Sequence, residues 1–254
     1  MEILVCIKQV PDDSEDVRLD NVDKVAKVVN AFDTYALEMA VRFREANGGT
    51  VVVATVGDCE AELKSCLAVG AQDAYKIADP AFEGADEAAI AQILAKGIAK
   101  IEELRGAKFD MIFCGKEATD FAKGQVGIML ANQMGYGVTT DVVAVDPADG
   151  GVCVKQETET GYNMIDMATP CVVTIQKPDY DPRYPTIKTK MAARKAKINA
   201  ITAADAGVGE VANLTKFLKV YEPPKKQAGI KIQEETVADS VIKAVAIMAE
   251  AKVL

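Results

Sequence analysis

The residues whose types and spacing best suit chemistry are Gly115-Lys116-Glu117-Ala118-Thr119-Asp120-Phe121-Ala122-Lys123-Gly124-Gln125-Val126-Gly127. They follow an apolar run, Phe109-Asp110-Met111-Ile112-Phe113-Cys114, and open a helical pattern from about Lys123 to Gln133. Where a buried strand turns into a helix, the first N–H groups of the helix lack intrahelical partners and can face an anion. Gly124 and Gly127 clear side chains from the path of a phosphate, and Gln125 adds a directional donor. The pattern is neither GxGxxG nor a P-loop, since no Gly-Lys-Ser/Thr is present. It reads as a phosphate cradle, although glycines at such junctions more often serve packing.

Three further loops carry candidate ligand groups. Cys6-Ile7-Lys8-Gln9-Val10-Pro11-Asp12 closes the first apolar run and places Lys8, a candidate phosphate partner, and Gln9 at one sheet edge. Asn30-Ala31-Phe32-Asp33 precedes the first helical pattern, with Asp33 suited to be its N-cap. Thr55-Val56-Gly57-Asp58 ends the second apolar run. In a parallel sheet, four loops at strand carboxyl ends meet along one edge, where such sheets bind ligands.

The elements that must position these loops alternate. Ile3–Ile7, Thr50–Val56, Ala74–Ile77 and Phe109–Cys114 are short apolar runs, as expected of strands buried on both faces. Between them, helical spacing covers 33–46, 59–69 and a stretch with Ile90, Ile93, Leu94, Ile98, Ile101 and Leu104 on one face. Strict alternation implies crossover connections: an α/β domain with a largely parallel sheet and helices on both faces. After Gly135 the pattern changes. Runs at 142–145, 152–155 and 171–175, with no long helix between them, predict antiparallel or mixed strands extending the sheet. Residues 177–197 carry Pro178, Pro182 and Pro185 and then a basic run. Residues 201–254 read as a weakly periodic tail ending in an amphipathic helix at about 235–250, either an arm that packs on a partner subunit or a loose C-terminus, and 1–200 as the α/β domain.

Composition narrows the function. A net charge of −9 argues against a nucleic-acid partner. The chain has no histidine, which excludes Ser-His-Asp and Cys-His nucleophilic sites and the usual zinc enzymes. No catalytic side chain and no metal site is expected, so any chemistry belongs to a bound cofactor. The six cysteines, at 6, 59, 66, 114, 153 and 171, show no ligand spacing and read as small buried hydrophobes. No apolar run is long enough to span a membrane, and the N-terminus lacks the features of a signal peptide, so a cytoplasmic location is expected.

Several motifs in order along the chain resemble the beta subunit of electron transfer flavoproteins. They are Cys6–Asp12, Asn30–Glu38 (Asn-Ala-Phe-Asp-Thr-Tyr-Ala-Leu-Glu), Leu67–Ala74, Cys114–Asp120 with Gly124–Gly127, Thr169–Ile175 and the stretch from Pro182 to Lys197. The resemblance implies an adenine nucleotide alpha hydrolase-like fold, an alpha-subunit partner, and either FAD or AMP in beta. The site it implies comprises Cys6, Asn30, Phe32, Asp33 and Val56 with the 115–126 loop, the amides of Gly124, Gln125 and Val126 holding the phosphate; Lys8, read from its own loop, would meet a phosphate or a flavin carbonyl. Residues 179–197 resemble the loop that docks partner flavin-dependent dehydrogenases. Ile187 stands at its apolar anchor beside Met191 and the basic Lys188, Lys190, Arg194, Lys195 and Lys197. Lys8–Asp12 resembles the bacterial, bifurcating branch, in which a beta-bound FAD takes a hydride from NADH and splits its electrons. The alternative is a structural AMP. One departure stands out: Asp120 is followed by Phe121-Ala122-Lys123, where the family often carries acidic or glycine residues. An adenylate-binding regulatory protein would share the fold and phosphate loop but not the 179–197 stretch. An ATP-using ligase would need a pyrophosphate loop where this chain has Lys8-Gln9-Val10-Pro11.

Overall fold

The computed structural model describes residues 1–222, 224 and 228–254; residues 223 and 225–227, inside the expected arm, lie outside the described residues. The chain opens with β1 (Glu2–Cys6), a two-stranded antiparallel ribbon of β2 (Gln9–Pro11) and β3 (Lys27–Val29), and α1 (Ala31–Asn47). The alternation continues through β4 (Thr50–Val56), α2 (Glu60–Val69), β5 (Asp73–Ile77), α3 (Glu87–Arg105), β6 (Met111–Gly115) and α4 (Val126–Met134). Then come β7 (Gly137–Ala148), β8 (Gly151–Thr158), β9 (Gly161–Ala168), β10 (Cys171–Ile175), α5 (Ile187–Lys195), β11 (Asn199–Ile201) and α6 (Ala203–Ala206).

Strand order in the main sheet is β11-β5-β4-β1-β6-β10-β7-β8-β9. From β11 to β7 neighbours run parallel, and β8 and β9 add an antiparallel flank. Successive side chains of β1 enter opposite layers, as the pleat requires. Ile3 and Val5 pack with Leu37, Ala40 and Phe43 of α1 and Leu63 of α2. Leu4 and Cys6 pack with Ile93, Leu94 and Ile98 of α3 and Leu130 of α4. Because strands in the sheet centre are covered on both faces, their sequences are continuous apolar runs.

The chain proceeds from β1 outward through β4 and β5, then crosses back to β6 on the other side of β1. The loops leaving β1 and β6 therefore part in opposite directions and leave a crevice at the strands' carboxyl ends.

Several expectations are corrected. Within the antiparallel or mixed extension expected after Gly135, Cys171–Ile175 does not lie on the flank; it sits between β6 and β7, parallel to both. The β2–β3 ribbon, β9 and β11 are strands that apolar runs did not reveal. The helix expected from Lys123 starts at Val126, because Ala122 and Gly124 have φ of 50° and 60°, outside helical geometry.

The chain forms two compact units, Met1–Phe217 and Leu218–Leu254. The first carries β11, α6 and the segment up to Phe217, past the division read at residue 200. The second contains α7 (Val237–Glu250), with Val237, Val241, Ile242, Val245 and Met248 exposed. Among the described residues, no helix is long and apolar enough to cross a membrane.

Candidate functional site

The crevice between the β1 and β6 loops holds a cleft of about 650 Å³, within the range of small-molecule sites. Its walls include Cys6, Ile7 and Lys8 after β1, Asn30 and Asp33 at the start of α1, and Val56 at the end of β4. Cys114–Ala118, Asp120, Phe121 and Lys123–Gly127 supply the β6 side. The four loops read from the sequence thus meet at one place.

Two buried side chains hold the loops together. Asp33 is 5% exposed. Its Oδ2 accepts from the Lys8 N–H at 2.7 Å and its Oδ1 from the Gly115 N–H at 3.0 Å, tying the ends of β1 and β6 across the switch point. It does not cap α1 as expected. The helix starts three residues earlier, with Asn30 at the N-cap, and Asp33 turns inward from the first turn. Burial pushes its carboxyl up to about 7, against the pull of these two N–H groups and the Asn30 side chain.

Asn30 is 1% exposed. Its Nδ2 donates to the Glu117 carbonyl at 2.8 Å and its Oδ1 accepts from the Thr119 N–H at 3.0 Å, while its own N–H donates to the Lys8 carbonyl at 2.9 Å. One side chain pairs with the loop backbone as a neighbouring strand would.

The glycines divide by role. A Cβ on Gly115 would lie 2.2 Å from Asp33 Oδ1, so this residue must be glycine for the tie to form. A Cβ on Gly127 would lie 2.7 Å from Thr174 Cγ2 and 3.2 Å from Cys114 Cβ. Gly127 lines the cleft, but its missing side chain makes room for strands β6 and β10 under α4, not for a phosphate. Gly124, at φ 60°, sets the turn that presents the first turn of α4 to the cleft. Gln125 is the N-cap of that helix and makes no side-chain cap bond, so the N–H groups behind it are open to an anion.

Three of the four lysines lining the cleft are already engaged. Lys8 Nζ makes both its bonds to Asp120, at 2.7 and 2.8 Å. Lys123 pairs with Glu87 at 2.8 Å, and Lys116 with Asp141 at 2.9 Å, a bond that raises the Lys116 ammonium above its usual value. With these three charges paired, recognition of an anion falls to backbone N–H groups and to Lys216, which also lines the cleft and forms no ion pair among the described residues.

Four expected site residues do not line the cleft. Gln9 lies in the ribbon strand β2, and Phe32 packs its Cβ where a Gly115 side chain would fall. Thr55 is buried with its hydroxyl 3.8 Å from Cys59 Sγ, and Thr119 contributes its backbone to the Asn30 clasp. Conversely, sequence reasoning missed the turn at 84–87, Ile90 and Leu94 of α3, and residues 213–217. Asp86, the N-cap of α3, is a legible helix signal; nothing in 213–217 marked it as a wall.

The expected docking stretch takes shape around one guanidinium. Arg183 Nε donates to Glu38 Oε2 at 2.8 Å and its Nη1 to Glu45 Oε1 at 2.6 Å, while Arg42 Nε donates to Glu38 Oε1 at 2.6 Å. Burial alone would raise the Glu38 carboxyl, whose side chain is 3% exposed, but these donors hold it below its usual value. Arg42 in turn stacks 3.9 Å over the Tyr180 ring. Beyond this anchor, Thr186 and Thr189 form a capping box and α5 begins. Ile187 is 81% exposed, and Met191 and Tyr184 are also exposed. Lys188, Lys190, Arg194, Lys195 and Lys197 are exposed and form no ion pair among the described residues.

Residues 21–206 match the family described as "Electron transfer flavoprotein domain". The chain is 34% identical over 263 residues to the electron transfer flavoprotein subunit beta of Megasphaera elsdenii, covering 96% of this chain and 97% of that protein. It is 38% identical over 243 residues to the subunit of the same name from Thermoanaerobacterium thermosaccharolyticum, covering 90% and 91%. It is 36% identical over 251 residues to the caffeyl-CoA reductase-Etf complex subunit CarD of Acetobacterium woodii, covering 93% and 94%.

Proposed function

The chain belongs to the electron transfer flavoprotein family, as a beta subunit, and from that premise we propose that with an alpha subunit it passes electrons between NADH or a flavin-dependent dehydrogenase and acceptor flavoproteins, its cleft holding FAD. The observation that carries the nucleotide reading is the first turn of α4, uncapped by any side chain and presented to the cleft at the switch point by Gly124. A phosphate fits this donor set, because an anion supplies acceptors to N–H groups that have none. FAD would supply the redox chemistry.

This chain's residues do the positioning. The amides of Gly124, Gln125 and Val126 would hold the phosphate. Asp33 and Asn30 would fix the loops that present them, and Val56, Ile90 and Leu94 would give apolar walls to the ring system. AMP would be held by the same donors, so the cradle alone favours neither nucleotide; the Lys8–Asp12 loop, like that of the bifurcating branch, favours FAD. The exposed Ile187 and Met191 among unpaired basic side chains suit a transient dehydrogenase contact on an otherwise acidic protein. The apolar face of α7 suits the alpha subunit.

The test is co-purification with the alpha subunit followed by release and counting of nucleotides. Two FAD per heterodimer are expected. One FAD and one AMP would overturn the FAD reading and leave a non-bifurcating subunit with structural AMP; no adenine nucleotide in beta would overturn the cradle.

A further inference from the structure

Asn213, Thr215, Lys216 and Phe217 line the same cleft as the β1 and β6 loops, although they lie far from them in the chain. All of 213–217 is exposed on its outer side and belongs to no helix or strand. Burial does not hold this segment in place. Asp86 does.

The Asp86 N–H donates to Asn213 Oδ1 at 2.8 Å, and Asn213 Nδ2 donates to the Gly84 carbonyl at 2.9 Å. Asp86 Oδ2 accepts from the Leu214 N–H at 2.6 Å, the Thr215 N–H at 2.7 Å and Thr215 Oγ1 at 3.0 Å. The other oxygen, Oδ1, accepts from the Ala89 N–H at 3.0 Å and caps α3. One carboxylate thus serves two structures with its two oxygens. Hydrogen bonds to a charged acceptor are the stronger kind, and here three converge on one oxygen.

The latch has a consequence at the cleft rim. It carries Phe217 to Phe121, where the rings meet edge to face at 5.4 Å between centroids and 60° between planes. Lys123 lies within 5.8 Å of both ring centres. The rings remain 53% and 62% exposed, an aromatic surface on the cleft wall that a bound ligand would cover.

We infer that Asp86 is a positioning residue for the cleft: by latching residues 213–217 it holds Phe217 against Phe121 as a retaining wall, which must open before the ligand leaves. The inference rests on the cleft being a nucleotide site. It adds a release step controlled by residues outside the cradle.

Asp86→Asn separates the two duties of the carboxylate. Asparagine caps helices as well as aspartate, but its amide would face the N–H donors of the segment. The double variant Asn213→Ala/Thr215→Val removes latch partners and leaves the α3 cap untouched, and Phe217→Ala removes the wall alone. In the heterodimer, release of radiolabelled AMP and of FAD (by recovery of flavin fluorescence) is timed after dilution into excess unlabelled nucleotide. All three variants are expected to release nucleotide about tenfold faster, the scale of one or two lost hydrogen bonds. Tm should stay near wild type, which separates a retaining role from general loosening. Unchanged release in the latch variants or in Phe217→Ala overturns the inference while leaving the nucleotide site intact. A wild-type heterodimer whose beta subunit takes up neither AMP nor FAD overturns the nucleotide reading and this inference with it.

Discussion

The cleft and the 183–195 segment are both surface features, but they are built in opposite ways. In the cleft nearly every polar group is spoken for: Asp33 and Asn30 are buried against backbone partners, and Lys8, Lys116 and Lys123 are paired with carboxylates. Among the described residues, the N–H donors at the start of α4 are unclaimed, as is Lys216 on the cleft wall. The 183–195 segment is anchored once, through Arg183, and then leaves Ile187, Met191 and a basic run open to solvent. A resident ligand calls for a fixed backbone and little stray charge, since misplaced donors lose affinity. A transient partner is better met by unscreened charge that speeds encounter and an apolar residue that holds briefly.

The largest expected effect is at Asp33. In Asp33→Asn the amide nitrogen must face either the Lys8 or the Gly115 N–H, leaving a buried donor without an acceptor. A stability loss of about 1–3 kcal/mol by denaturant melt is expected, with loss of beta nucleotide. The same residue gives a pH signature. Its folded-state value of about 7 lies above the ordinary 3.8, so the folded form binds the proton more tightly. Asp33 therefore favours folding most at low pH, and this contribution declines as pH rises from about 4 to about 7. Asp33→Asn should flatten stability across that window; an unchanged slope would show that the buried carboxyl is not its source.

Arg183→Ala comes next. It leaves the buried Glu38 with Arg42 as its remaining ion-pair partner, at an expected cost of about 1–2 kcal/mol. It should speed hydrogen exchange across α5 while beta nucleotide content stays at wild-type level. If nucleotide content falls with it, the two regions are not independent.

The smallest effect on stability, within about 0.5 kcal/mol, is expected for the exposed Ile187→Ser and for Lys188→Glu/Lys190→Glu. Both should leave nucleotide content intact and raise the KM for the partner dehydrogenase in a coupled electron-transfer assay. Only the charge variant should lessen the salt dependence of that KM. Equal salt dependence in wild type and the charge variant would remove the steering role from the basic run.

Much of this was legible in the sequence because the central strands are covered on both faces and read as unbroken apolar runs. The convergence of four loops followed from the parallel sheet they imply. Strand β9 escaped because it is the exposed edge: Tyr162 and Met164 face solvent, and only Ile165 and Met167 pack, partly buried, against the core. The ribbon strands β2 and β3 are too short for a period to show. The placing of Asp33 failed for a different reason. A residue suited to cap a helix was instead needed by two backbone N–H groups, one of them Gly115, distant in sequence and brought near by the crossover to β6. The 213–217 segment was invisible for the same cause, since its place depends on Asp86 and on no pattern of its own.

The central claim is that the turn from Gly124 into α4 holds the phosphate of a nucleotide. Gly124→Glu sets a carboxylate at that turn, and Gly124→Ala carries the same backbone cost at φ 60° without the charge. The direct measurement is the nucleotide content of the two heterodimers. The account predicts that Gly124→Ala keeps the beta nucleotide and Gly124→Glu loses it, with the alpha-bound flavin unchanged in both. Full beta occupancy in Gly124→Glu would contradict it.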